Sequence, residues 1–146
     1  MNLPKGITGF HSSNDNILPM MDTIQFKQLS HTFVRELDGE FVVFREGYSQ
    51  RNYYSVEYTL RGESYFVLLN HHYPFLAFSS TMEDITFIDV PVMTAKYQSY
   101  YKVLTKEFLE TPLASEHLSA LSQAEIEQIS YWKPSTVGEV IFNNWD

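Results

Sequence analysis

Residues 52–80, NYYSVEYTLRGESYFVLLNHHYPFLAFSS, decide the fold. From Tyr54 to Arg61 the chain alternates, with Tyr54, Val56, Tyr58 and Leu60 on one side and Ser55, Glu57, Thr59 and Arg61 on the other. A period of two in β-branched and aromatic residues is the pattern of a half-buried strand. Arg61-Gly62-Glu63-Ser64 reads as a hairpin turn, with Gly62 at the first of two central positions, as a type II′ turn favours. That turn sets Arg61 opposite Ser64, Leu60 opposite Tyr65, Tyr58 opposite Val67 and Val56 opposite Leu69. The second strand, Tyr65 to Asn70, is apolar on both sides and is expected at the centre of a sheet covered on both faces. Asn70-His71-His72-Tyr73-Pro74 forms the next turn, and Phe75 to Ser79 returns as a strand. Pro74 stands at its start, where a missing N–H donor is tolerated.

Upstream of the hairpins, Asp22 and Gln25 make a capping box. Phe26, Leu29, Phe33 and Leu37 follow at helical spacing, with Gly39 as a stop, so a helix is predicted from about residue 23 to 37. FVVF, within 40–45, is a short strand. Ile7 to Phe10 reads as a short strand after Gly6, and Ser12 to Asn16 as a polar turn.

Downstream, Thr81 to Asp84 is an acidic turn, and Ile85 to Val90 is a strand closed by Pro91. The period then changes to about 3.6. Tyr97, Tyr101, Leu104 and Phe108 predict a helix near 94–110. Ser122 and Glu125 open a second helix that Pro134 stops, and Thr136 and Glu139 open a short third one. Within the third, Gly138 is expected to mark close packing against a neighbouring element. The fold class is therefore α+β. An antiparallel sheet of about five or six strands carries an N-terminal helix and two or three C-terminal helices, in a single domain over 1–146.

Composition narrows the chemistry. The absence of cysteine excludes disulfides and thiolate metal sites. The net charge of −8, from 18 acidic and 10 basic side chains, repels nucleic-acid phosphates and anionic lipid, and favours encounter with a basic partner. The longest apolar run, Tyr65 to Leu69, is far short of a membrane span, and MNLPKGITGF lacks a basic region followed by a long apolar one. These features lead us to expect a soluble cytoplasmic protein that binds neither nucleic acid nor membrane.

No motif specifies a reaction. His71 and His72 are adjacent and would point apart on a strand, so they are poor joint ligands; a polar turn with an imidazole held by backbone is the expectation. His11, His31 and His117 are scattered, and no GxSxG elbow, GxGxxG or Walker-type loop occurs. Glu83-Asp84 lies in a turn and Glu125/Glu127 in a helix's first turn, where acids complement the dipole. No catalytic residue, metal or cofactor is assigned. The face of Ser55, Glu57, Thr59 and Arg61 is expected to be exposed. With Glu46, Tyr48, Tyr53, Glu57, Glu63, Glu83 and Asp84 it would form an acidic, tyrosine-bearing surface suited to a basic protein.

Two end segments, LPKGITGF (3–10) and AEIEQISYWKPSTVGEVIFNNWD (124–146), bear on function. The second resembles the tails of small acidic bacterial proteins found beside polymorphic or contact-dependent toxins and believed to act as immunity proteins. The resemblance implies a non-enzymatic, cytoplasmic inhibitor that occludes a basic toxin domain, and it carries over no functional residue. The alternative is a small ligand-binding domain or enzyme with a pocket between sheet and helices, floored by Tyr54, Tyr58, Tyr65 or His72. An apolar face that makes a homodimer is a third possibility.

Overall fold

The computed structural model describes residues 2–12, 18–47 and 51–145. The central hairpin is built from β2 (Tyr53–Leu60) and β3 (Glu63–Asn70). Tyr58 faces Tyr65, Val56 faces Val67 and Leu60 faces Glu63, a slide of two positions from the sequence-based register. The turn residues are Arg61 and Gly62, both at positive φ (53° and 81°), which is the type I′ geometry. A slide of two keeps every side chain on its expected face, because the strand period is two.

β1 (Glu40–Arg45) pairs with β2 at one edge, and β4 (Phe75–Ser79) pairs with β3. Phe41 and Phe44 are three residues apart, so a regular strand would place them on opposite faces. A bulge between Phe41 and Val43 lets them oppose Tyr58 and Val56 on one face, and it leaves Val42 exposed. The free side of β4 is shared by two short strands. β5 (Phe87–Ile88) lies antiparallel to Phe78 and Ser79, and β6 (Lys102–Val103) lies parallel to Phe75 and Leu76.

Three expectations change here. Ile7 to Phe10 is a pair of turns, because Gly6 and Gly9 take φ of 92° and 85° and Gly9 N donates to Gly6 O; the sixth strand is β6. The strand expected over 85–90 is confined to β5. The helix expected over 94–110 is two helices, α2 (Pro91–Tyr97) and α3 (Lys106–Leu109), separated by β6. Tyr97 and Tyr101 pack on one face of the sheet, whereas Leu104 and Phe108 pack on the other. Their helical spacing thus belongs to a chain crossing the sheet edge.

Both faces of the sheet are covered. On the first, α1 (Thr23–Glu36) and α2 cover Tyr54, Val56, Tyr58, Val67, Leu69, Leu76 and Phe78 with Phe26, Phe33, Val34, Met93 and Tyr97. Asp22 caps α1 by accepting from Ile24 N (2.9 Å) and Gln25 N (3.1 Å). On the second face, Tyr53, Phe66, Leu68, Phe75 and Phe87 are covered by α3, α4 (Gln123–Trp132), α5 (Val137–Ile141), Leu3, Ile7 and Trp145. Each such Leu or Phe taken from water stabilises by about 1.5–3 kcal/mol. Gly138 lets α5 close on this layer: a Cβ there would stand 2.6 Å from the Phe87 ring and 2.8 Å from Leu109 O. Among the described residues no helix is long and apolar enough to cross a membrane.

Candidate functional site

The face expected to be open is largely a second core. Tyr53 and Ser55 are each 2% exposed, which corrects the placing of Tyr53 on an exposed surface. Glu57 and Thr59 are half-buried, and Glu57 Oε1 pairs with Arg45 Nη2 at 3.0 Å. Glu63 stands at the β2–β3 turn and accepts from Tyr65 OH at 2.6 Å. Glu46 is exposed beyond β1, near the opposite end of β2. Tyr48 lies outside the described residues. The candidate acids therefore do not form one patch.

Glu83 and Asp84 do find company. With Tyr53 they line a cleft of about 520 Å³ whose other wall is the segment from Trp132 to Trp145. Local chemistry shapes that wall. Lys133 caps α4 in the left-handed conformation (φ 52°), and Pro134 prevents the helix from continuing. Thr136 Oγ1 then accepts from Glu139 N at 3.3 Å, and Glu139 Oε2 accepts from Thr136 N at 3.1 Å and from Ser135 N. The Trp132 and Trp145 rings stack at 6.4 Å, and Tyr131 projects beside them, 76% exposed. Three carboxylates (Glu83, Asp84, Glu139) and one ammonium (Lys133) line the cleft.

The layer that carries this wall is fixed by buried polar groups. Glu125 is fully buried. Its Oε1 accepts from Gly6 N (2.8 Å), Ser122 N (3.1 Å) and Ser122 Oγ (3.1 Å), and its Oε2 from Thr8 N (3.1 Å) and Thr8 Oγ1 (2.6 Å). N–H and O–H dipoles replace the water that this carboxylate loses on burial. Asn52 and Asn70 both donate to Ile7 O and Ile141 O. Asn143 donates to Thr8 O at 3.1 Å, and its own N–H donates to Asn52 Oδ1 at 2.7 Å. The end segments singled out in the sequence, 3–10 and 124–145, are thereby packed together. Sequence reasoning found the Ser122/Glu125 cap but missed its second role. The usable signal was the pair of glycines flanking Ile7-Thr8, which turns backbone N–H groups toward one acceptor.

A second cavity, of about 380 Å³, shares Asn143 with the cleft and is lined in part by His11, Arg51, His71 and His72. Each ring of the histidine pair is held by a backbone carbonyl: His71 Nε2 donates to Glu46 O and His72 Nδ1 to Pro19 O, both at 3.1 Å. Burial pushes the His71 imidazole below its usual value; the carbonyl of Glu46 acts against this, and His72 adds to it. The pair is thus a turn held to backbone, as its spacing suggested. Tyr54 and Tyr58, offered as the floor of a pocket under the helices, are 5% and 0% exposed and belong to the first core. Burial raises both phenols, and Tyr58 OH has no hydrogen-bond partner among the described residues. Among those residues no three His, Asp or Glu side chains are arranged to hold a metal ion.

No protein-family model, curated protein or solved structure matches the chain.

Proposed function

We propose that this is a non-enzymatic binding protein that occludes a basic partner, an immunity-type inhibitor of a toxin domain acting in the cytoplasm. One observation carries the reading: Glu83, Asp84 and Glu139 share a cleft with aromatic side chains from the segment that bears the resemblance. Acids beside exposed aromatic rings suit a partner rich in Arg and Lys. The rings supply rigid apolar area, and the carboxylates supply steering and register. Inhibition would be steric, with the charge acting chiefly on the rate of encounter.

The test reads the neighbouring gene, which this proposal expects to encode a secreted multidomain toxin, and assays that toxin's activity with and without an equimolar amount of the protein. Inhibition is expected, together with an association rate that falls about tenfold or more between low and high salt. The double variant Glu83→Lys/Asp84→Lys should slow association further. A toxin that remains fully active in excess protein sinks the reading. Inhibition at a salt-independent rate would keep the partner and remove the electrostatic part.

A further inference from the structure

We propose that the cavity beside the His71-His72 turn binds a small oxyanion, a phosphate or carboxylate group, through the guanidinium of Arg51 and the imidazole of His11. The chain carries 18 acidic and 10 basic side chains and five histidines. Even so, among the described residues this cavity gathers one arginine and three of the histidines, with no aspartate or glutamate. Its described lining carries one fixed positive charge, that of Arg51, in an acidic molecule, so an anion is attracted locally against the overall field.

The state of Arg51 supports the assignment. Arg45, Lys96 and Lys106 each have a carboxylate partner, at 3.0, 3.0 and 3.9 Å. Arg51 is half-buried, and among the described residues no carboxylate pairs with it. Its guanidinium carbon lies 5.9 Å from the centre of the Tyr53 ring, and a guanidinium so placed can still offer a forked pair of N–H groups to an oxyanion. Glu46 acts electrostatically on His71 but does not line the cavity.

Part of the wall of the recess is held in place by hydrogen bonds. Asn52, 2% exposed, lines it with its amide fully engaged: Nδ2 donates to Ile7 O and Ile141 O at 2.9 Å each, and Oδ1 accepts from Asn143 N. The rings of His71 and His72 are fixed by Glu46 O and Pro19 O. A preformed wall spares a ligand the cost of ordering it. The volume of about 380 Å³ is that of a small-molecule site.

The experiment follows the histidine ring resonances of the full chain during titration with inorganic phosphate and, separately, with citrate, ionic strength being held constant with sodium chloride. Saturable shifts at His11 and His72 are expected. Stronger binding of phosphate would identify a phosphoryl ligand, and stronger binding of citrate a carboxylate one. Arg51→Gln should weaken binding about tenfold or more, the worth of a charge-assisted hydrogen bond. Arg51→Lys keeps the charge but loses the fork, and it should weaken binding several-fold; it carries the test if Arg51→Gln does not fold. Shifts reproduced by chloride alone, or an affinity unchanged in both Arg51 variants, would overturn the assignment.

Discussion

The two faces of the sheet are held by different forces. The first is packed with rings and aliphatic chains from α1 and α2, in which Phe26, Val56, Tyr58, Leu69, Leu76 and Tyr97 are fully buried. The second also has an apolar interior, but its position over the sheet is set by Glu125, Asn52, Asn70 and Asn143. Apolar packing is non-directional and adapts to some extent, whereas a buried polar group loses its full desolvation cost when one partner goes. The second face, which bears both candidate sites, is therefore the more specifically located of the two.

The largest effects should separate the faces. Phe78→Ala removes a ring that is 1% exposed from the first core, and it should cost about 3–5 kcal/mol in urea unfolding, spread over the whole molecule. Glu125→Ala should cost about 3 kcal/mol, because several buried donors lose their acceptor at once. Its signature is local: amide exchange at Gly6 and Thr8 should accelerate well before that of β3. A cost under about 1 kcal/mol would show that packing alone places the second layer.

Two tyrosines sharpen the same distinction inside the first core. Tyr97 OH donates to Ser30 Oγ at 2.7 Å, so Tyr97→Phe should cost about 1–2 kcal/mol. Tyr58 OH is buried without a partner among the described residues, so Tyr58→Phe should leave stability unchanged or raise it by up to about 1 kcal/mol. Equal losses in the two variants would contradict this.

The smallest effect is a pH dependence. The folded protein holds His71 below its unfolded value of 6.5, so the unfolded chain binds more protons in mild acid. Its contribution is present above pH 6.5 and is lost as pH falls through the lower folded value. His71→Gln should flatten that part of the stability profile; a profile equally steep in the variant would assign the slope elsewhere.

The first face was legible because its signals are local. The alternation through Tyr54–Leu60, the doubly apolar β3 and the spacing Phe26-Leu29-Phe33 each report on burial within a few residues. The crossover was misread because Tyr97, Tyr101, Leu104 and Phe108 satisfy a helical period while serving two cores. The second layer was illegible for a different reason. Glu125 looks like an ordinary capping acid, and what buries it is a turn 119 positions earlier. Of the candidate site, Glu83 and Asp84 were named, but without Trp132, Glu139 and Trp145 across the cleft. Tyr53 was read as exposed because alternation tells which side a residue faces and nothing about what covers that side.

The bond from Asn143 to Thr8 joins residues 135 positions apart. This bears on the order of events as the chain folds. The β1–β2–β3–β4 meander and α1 join near neighbours, whose loops close with little entropy loss, so they are expected to nucleate. The long-range latch is then expected to close last, onto a sheet that presents Asn52 and Asn70 to Ile7 and Ile141. Such an order would leave one apolar face bare to solvent until the latch forms, and that interval, more than the native state, would be where aggregation competes.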